Sequence, residues 1–355
     1  MTSRERVIAA FNHQKADRCP RYEVFLDGYV ENWRAVTGKV DSEDFYGIYY
    51  DYPKIDIGTV WAFQEGPFKS RVRREELGDG NYLQMDSWGR VQRCSHNGIF
   101  YEVIETVLDD KSNLDKLVFE DPWTHEAAGY FTSGSNLFSD RSVPVGGVMG
   151  LFMPSYYLRG EFNLLMDLVE DIPFCRAVAD RLVDFLIPEA EKCLEATNTY
   201  DTAFWLYDEL GNNKSSIISP DTFEAVYLEP YKKLISAIKA RGANKIILHC
   251  DGNCLPLLDL LIEAGFDGVQ GVNPTAGMTV PEVKSKYGNK LILIGGMCNI
   301  LVIPSGDEKR IEAQARSIIE AAKDGGVIIG THSIDSDISV ENYNKYYRIM
   351  EKLDS

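Results

Sequence analysis

The stretch KIILHCDGNCLPLLDLLIEAGFDGVQ, residues 245–270, decides the fold class of this chain. Its apolar run, Ile246 to Leu248, leads directly into His249, Cys250 and Asp251. A glycine and a leucine-rich helical segment follow, and a second apolar run then begins. A short apolar strand followed by a helix and another strand is typical of a β/α unit with a parallel sheet. The stretch also raises the question of why a buried strand should end in three residue types that bind metals.

The same alternation of strand and helix extends along the chain. Eight runs are predicted as strands: 20–28, 54–62, 143–153, 203–210, 245–252, 266–272, 290–297 and 325–333. Several are almost continuously apolar, as parallel strands covered on both faces should be. Eight β/α units predict one α/β domain over residues 1–355, a (β/α)8 TIM barrel. A doubly wound open sheet is the alternative, but no glycine-rich nucleotide loop follows an early strand.

One segment, residues 65–108, interrupts this alternation. It contains a Gly-Asp-Gly turn and the pair Trp88-Gly89, each flanked by alternating polar and apolar residues. Such a pattern predicts a β-hairpin excursion from the barrel in its N-terminal half.

Composition excludes several classes of partner. The formal net charge of −17 disfavours nucleic acid and anionic membranes. No apolar run reaches the ~18 residues of a membrane span, and the N-terminus lacks the apolar core of a signal peptide. Seven scattered cysteines argue against a disulfide framework. A protein of the reducing cytoplasm is therefore expected.

Reactive residues fall where the predicted strands end, which is where TIM barrels carry their chemistry. His249 and Asp251 are two positions apart, so that they share one side of the strand. Glu209 and His332 follow other strands and can converge on them. These four residues, Glu209, His249, Asp251 and His332, are the predicted metal ligands, and a carboxylate and histidine set of this kind suits zinc. Glu209, His249 and Asp251 are also the predicted catalytic residues.

Other interpretations of the same residues stay open. His249 could be a hydrogen-bonded barrel histidine, and Asp251 with its glycine could be only a turn. Cys250 could be a small core residue, or it could compete with Cys298 for a ligand position. Aromatic side chains could line a ligand pocket, although core packing explains them equally well.

The chain resembles the uroporphyrinogen decarboxylase superfamily over nearly its whole length. The segments that carry the resemblance are TSRERVIAAFNHQKADRCP (2–20), YYLRGEFNLLMDLVED (156–171), YDELGNNKSSIISPDTFEAVYLEPYKKL (207–234), the stretch from His249 to Met297, and GGVIIGTHSIDSDISVENY (325–343). The resemblance implies a (β/α)8 barrel. True decarboxylases of the superfamily carry an N-terminal arginine segment for the substrate's carboxylates. Arg21 and Arg34 do not reproduce its spacing, so decarboxylation is disfavoured.

The cobalamin-dependent methyltransferase branch is the better match, and MDSWGRVQRC (85–94) also resembles it. In the coenzyme M type, zinc is held by a His-x-Cys after the fifth strand and a cysteine after the last. Here His249 matches, Asp251 stands in the first cysteine position, and His332 stands near the second. Replacing thiolates by Asp and His gives a more Lewis-acidic ion, suited to an ether oxygen.

The resemblance therefore implies an O-demethylase component. It would transfer a methyl group from a small methyl donor, an aryl methyl ether, to the corrinoid (cobalamin) of a separate corrinoid protein. The predicted substrate-binding residues are Asp27, Trp61, Trp205 and Tyr207. The oligomeric state stays open, with a homodimer among the options.

Four rival functions remain from the sequence. They are a different methyl donor such as a methylamine, methyl thiol or methanol, the reverse transfer from methylcobalamin to a thiol, a non-catalytic binding protein, and decarboxylation of a porphyrinogen.

Overall fold

The computed structural model describes residues 1–39, 48–58, 60–96, 101–122 and 143–354, without the side chains of residues 50 and 60–63. The described strands are β1 (Arg21–Tyr22), β2 (Val60–Phe63), β3 (Arg73–Glu76), β4 (Asn81–Met85), β5 (Val91–Ser95), β6 (Tyr101–Glu105), β7 (Val145–Met149), β8 (Phe204–Tyr207), β9 (Ile246–His249), β10 (Gly268–Val272), β11 (Ile292–Gly296) and β12 (Val327–Gly330). The described α-helices are α1 (Ser3–Phe11), α2 (Asp27–Thr37), α3 (Ile48–Asp51), α4 (Phe152–Arg159), α5 (Glu161–Glu170), α6 (Ile172–Thr197), α7 (Pro220–Phe223), α8 (Glu229–Ala240), α9 (Leu258–Ala264), α10 (Val280–Tyr287), α11 (Glu308–Ala321) and α12 (Val340–Leu353). In this part of the chain, no helix combines the length and the apolar character that a membrane crossing requires.

A curled parallel sheet forms the centre of the fold. Its strand order is β1-β12-β11-β10-β9-β8-β7-β2, and every pair in it is parallel. At the open side, an isolated parallel bridge joins Tyr22 to Ile57, ahead of β2. The predicted α/β fold with a barrel-like parallel sheet is therefore confirmed. A closed barrel with eight paired strands stays a prediction, because this last junction is a single bridge.

Alternation along each strand divides the core into two clusters. Ile247, Trp205 and Ile294 belong to a cluster made mostly of strand residues, which fills the inside of the curled sheet. Leu248 and Leu206, one position away, belong to the larger cluster that includes the helices. Successive side chains on a strand point to opposite faces. His249 therefore lies on the inner side, directly above Ile247 along the strand.

The excursion is larger than the sequence predicts. Residues 65–108 were predicted as a single β-hairpin, but β3 to β6 form a four-stranded antiparallel sheet in chain order. The Gly-Asp-Gly turn joins β3 to β4, with Gly78 and Gly80 at φ 78° and 82°, which glycine adopts without strain. The outer strands were missed because every residue of β3 and β6 is exposed, so that neither strand shows the apolar alternation that marks a half-buried strand.

Candidate metal centre and substrate cavity

Three side chains meet at the ends of two strands on the inner side of the sheet. His249 is the last residue of β9, Asp251 follows two positions later, and His332 lies two positions past β12. Nitrogen and oxygen atoms of the three lie within 4.8 Å of one another. His332 Nε2 is 2.5 Å from Asp251 Oδ2, and His249 Nε2 is 3.6 Å from Asp251 Oδ1. We call these residues the His249–Asp251–His332 group. Its two imidazoles and one carboxylate are donors that zinc accepts.

Gln270 orients the ring of His249. β9 and β10 pair in register at these two residues, and His249 Nδ1 contacts Gln270 Oε1. The amide nitrogen of Gln270 donates to the carbonyl oxygen of His332 over 3.4 Å, which leaves the amide oxygen to accept from the imidazole. His249 Nδ1 therefore carries the hydrogen, and the lone pair of Nε2 faces Asp251. Burial lowers the pKa of His249, which favours the neutral ring that a metal needs.

Asp251 has spare bonding capacity. Its Oδ2 is close to His332, whereas Oδ1 is buried and has no hydrogen-bond partner among the described residues. A buried carboxylate oxygen without a donor is costly and rare in folded proteins. A bound cation would satisfy it, so the residues present fit a metal ion.

Glu209 lies nearby but outside this group. It follows β8 by two positions and lines the same cavity as His249. Burial, together with the neighbouring Cys250 and Asp251, raises the pKa of Glu209 to about 9. The carboxyl group therefore holds its proton at neutral pH.

The cavity beside these residues has a volume of about 480 Å³. Tyr207 and His249 form its floor, with ring centroids 4.8 Å apart. Met149, Met153 and Tyr157 form an apolar side. Most of the lining side chains are polar or charged, with aromatic and methionine side chains among them, and such a concave site suits a small molecule that carries polar groups.

The remaining predicted site residues lie elsewhere. Asp27 begins α2, is exposed, and does not line the cavity. Trp205 is completely buried one inward position below Tyr207, with ring centroids 6.3 Å apart, and it does not line the cavity either. The side chain of Trp61 lies outside the described residues. The structure therefore brings together Glu209, Tyr207 and the His249–Asp251–His332 group, and leaves Asp27 and Trp205 away from the cavity.

The two cysteines that compete for ligand positions are both buried. Cys250 Sγ lies 3.8 Å from the carbonyl oxygen of Gly252 and beside Cys254, and Cys298 Sγ accepts from the backbone N–H of Leu301. Neither belongs to the His249–Asp251–His332 group. All seven cysteines are free thiols.

Sequence reasoning missed three polar residues of the site. Gln270 carries a signal, because it is the one polar side chain in the buried strand GVQGV. Asp208 directly follows β8 but is not among the predicted site residues. It accepts hydrogen bonds from the backbone N–H groups of Leu151, Phe152 and Met153 and so fixes the start of α4. Arg90 gave no signal, because it reaches the cavity from the excursion sheet.

Comparison with known proteins gives the family. No curated protein matches the chain. Among solved structures, a methyltransferase from Methanosarcina mazei is similar over 100% of both chains, with 16% sequence identity and a TM-score of 0.70. A protein described as a candidate vitamin-B12-independent methionine synthase from Listeria monocytogenes covers 96% of this chain and 97% of its own, with 15% identity and a TM-score of 0.47. At such identities the first likeness shows the fold alone.

The sequence family is decided by a more specific match. The family model for uroporphyrinogen decarboxylase (URO-D) matches residues 103–353, well over half of the chain. This confirms the resemblance found in the sequence: the chain belongs to the uroporphyrinogen decarboxylase family.

Proposed function

We propose that the protein is a zinc-dependent methyltransferase that transfers a methyl group from an aryl methyl ether to the cobalt of a separate corrinoid protein. The observation that carries the proposal is the His249–Asp251–His332 group at the strand ends, beside a cavity of about 480 Å³. Family membership and the fold shared with the methyltransferase from Methanosarcina mazei support it. Decarboxylation of a porphyrinogen fits the cavity poorly, because Arg90 is its one strongly basic side chain among the described lining residues.

The nitrogen and oxygen donors of the group would leave a zinc ion more Lewis-acidic than thiolate ligands would. His249 would bind through Nε2, because Gln270 keeps the hydrogen on Nδ1. His332 and the unpartnered Oδ1 of Asp251 would complete a set of two nitrogens and one oxygen. When bound, the ion would polarise the ether oxygen, and the corrinoid cobalt would supply the nucleophile for the methyl carbon.

The protein's own residues would place the ether and manage its proton. Tyr207, Tyr157 and Met149 surround the space where the aromatic ring would pack. When the methyl–oxygen bond breaks, the oxygen keeps the electron pair and needs a proton to leave as a phenol. Glu209 holds a proton at neutral pH in this cavity, so we assign it as the donor to that oxygen. This assignment places Glu209 at the leaving group rather than on the metal.

Metal content of the purified protein tests the metal site. We expect about one zinc ion per chain in the wild type, as in other single-site zinc proteins. His249→Ala should lose that zinc. His96→Ala is the matched control, because His96 is an exposed histidine of the excursion sheet, paired with Glu76. Wild-type protein that is metal-free after preparation in zinc-containing buffer would end the zinc proposal.

Turnover tests the reaction. The wild type is incubated with ortho-methoxyphenol and reduced corrinoid protein, and both the released catechol and the cobalt–methyl spectrum are followed. Equal amounts of the two products are expected, and His249→Ala should form neither. A protein that holds zinc but forms no product from any aryl methyl ether would overturn the choice of methyl donor.

A further inference from the structure

The excursion sheet forms the wall of the cavity opposite to the barrel strands. Gln84, Trp88, Arg90, Gln92 and Tyr101 from this sheet and its turns line the same cavity as His249 and Glu209. A molecule in the cavity would therefore contact the excursion sheet on one side and His249 and Glu209 on the other. The sheet is placed to select substrates rather than only to cover the barrel.

Arg90 is held rigidly in this wall. Its side chain is only 10% exposed, and Nε and Nη2 both pair with Asp86 Oδ2, at 2.6 Å. Asp86 is fixed in turn, because its Oδ1 accepts from the backbone N–H groups of Trp88 and Arg90. The guanidinium carbon lies 3.8 Å from the ring centroid of Tyr157. These contacts hold the guanidinium in one position.

One nitrogen of this guanidinium has unused donors. Nη1 is buried and has no hydrogen-bond partner in the described part of the chain. A guanidinium can only donate hydrogen bonds, so that its missing partner must be an acceptor. A buried charged donor without a partner is costly, and a ligand that supplies the acceptor recovers that free energy. The amide of Gln92, also within this wall and 3.3 Å from Asp86 Oδ2, lies beside the guanidinium.

We propose that Arg90 recognises an acceptor group, a carboxylate or a carbonyl, on the aromatic ring of the methyl donor, at a position remote from the methoxyl group. This inference rests on the proposed function and specifies its substrate class as methoxybenzoates and aryl methoxy ketones or aldehydes. The methoxyl group lies toward His249 and Glu209, and the acceptor lies toward Arg90, so that the ring spans the cavity between its two polar walls.

Ligand binding tests the inference without turnover. Calorimetric affinities of methoxybenzoate, methoxyacetophenone and methoxybenzene are measured for the zinc-loaded wild type, Arg90→Met and Arg90→Lys. Arg93→Met is the matched control, because Arg93 lies three residues further along, is about half exposed and does not line the cavity. Each comparison is a ratio between ligands in one protein, so a partly unfolded variant does not distort it.

In the wild type and in Arg93→Met, the rings with an acceptor should bind more tightly than methoxybenzene. In Arg90→Met, the affinity for these rings should fall roughly 10- to 100-fold, the range for a lost hydrogen bond to a charged group. Methoxybenzene should change less than about threefold. Arg90→Lys should lose most of the preference, since an ammonium lacks the planar fork. If Arg90→Met loses more affinity for methoxybenzoate than for the ketone, Arg90 recognises the carboxylate. If the two losses are equal, Arg90 recognises a carbonyl oxygen, which both ligands have.

The two proposals fail in different ways. Equal affinities for the three rings in the wild type, or an unchanged ratio in Arg90→Met, would overturn the role of Arg90 while leaving the methyl transfer untouched. Selective binding that depends on Arg90, together with no demethylation by any corrinoid protein, would overturn the methyltransferase and leave the recognition of the acceptor standing. Failure of the wild type to bind any of the rings would overturn both.

Discussion

Replacing Gln270 should weaken metal binding although Gln270 is not a proposed ligand. Gln270 is fully buried, and its side chain joins His249 Nδ1 to the carbonyl oxygen of His332. In Gln270→Met the imidazole loses the acceptor that keeps its hydrogen on Nδ1. The hydrogen can then move to Nε2 and pair with the carboxylate of Asp251, which lies 3.6 Å away. A metal would have to reverse this tautomer before it binds.

The size of the effect follows from that single contact. A buried hydrogen bond whose partner is removed costs about 1–3 kcal/mol, and about 1.4 kcal/mol corresponds to a tenfold change in affinity. We therefore expect zinc affinity to fall roughly 10- to 100-fold, in line with the effect of other residues that orient metal-binding histidines. Gln270→Glu retains an acceptor for Nδ1. Its zinc affinity should therefore be no lower than that of Gln270→Met and closer to that of the wild type.

Competition with a chromophoric chelator at pH 7.5 measures this affinity. Gln314→Met is the control, because Gln314 also uses its side-chain oxygen once, to accept from the backbone N–H of Cys298, but contacts no histidine. The control should match the wild type. If Gln270→Met binds zinc as tightly as Gln314→Met, the hydrogen bond does not set the tautomer, and the reasoning about the orientation of His249 is wrong.

Three further predictions concern the proposed metal ligand Asp251 and two buried carboxyl groups. Asp251→Asn should lower zinc affinity by more than the roughly 100-fold loss caused by replacing residues that only orient the ligands. If Asp251→Asn and the wild type bind zinc equally tightly in the chelator assay, Asp251 is not a ligand. Asp208→Ala should lower the free energy of unfolding by at least about 3 kcal/mol in urea titrations, because three backbone N–H groups at the start of α4, two of them in buried hydrogen bonds, lose their acceptor; a loss below about 1 kcal/mol would contradict this. Burial raises the pKa of Glu23 from 4.5 to about 7, so that the native state keeps a proton that the unfolded chain releases. The free energy of unfolding should therefore fall as pH rises from about 4.5 to about 7. Glu23→Gln, which can still accept from Thr331, should lose this part of the pH dependence, and identical pH profiles would refute the shift.

Much of the fold could be predicted because parallel strands leave a strong local signal. All eight predicted strand runs contain or overlap a strand of the curled sheet, in the predicted order. Local capping leaves a weaker signal. Thr2 and Glu5 have the spacing of a capping box, and both of its hydrogen bonds are present. Ser305 and Glu308 have the same spacing, but α11 is capped by Asp307, which stands immediately before the helix and accepts from two N–H groups. Two capping residue types within three positions leave the choice to tertiary structure.

The sequence predicts which side of each strand the candidate site residues share, but not which of them reach the cavity and which fill the core beneath it. Trp205, Tyr207 and Glu209 alternate on one strand and continue past its end, so the sequence assigns them to the same inner side. Only the register between strands shows that Tyr207 lies level with His249, while Trp205 pairs with Ile247, one inward layer lower. Trp205 therefore fills the inner core rather than the cavity. Asp27 lies at the exposed start of α2 because β1 ends after only two residues, well before Asp27. Composition does not reveal that this strand is so short.

Two simpler interpretations of the strand end can now be weighed against the metal site. His249 is indeed hydrogen-bonded in the sheet, as a structural histidine would be. That bond uses Nδ1 only, and it leaves the lone pair of Nε2 facing a carboxylate, an arrangement that gains nothing without a third partner. Asp251 could have served only as a turn residue, but its Oδ1 accepts no hydrogen bond among the described residues, and its Oδ2 lies against His332, which follows β12. Two buried acceptors directed at each other repel unless a proton or a cation lies between them. A purely structural role explains the hydrogen bond of His249 but not the unpartnered Oδ1 of Asp251, and the proposed metal ion accounts for both.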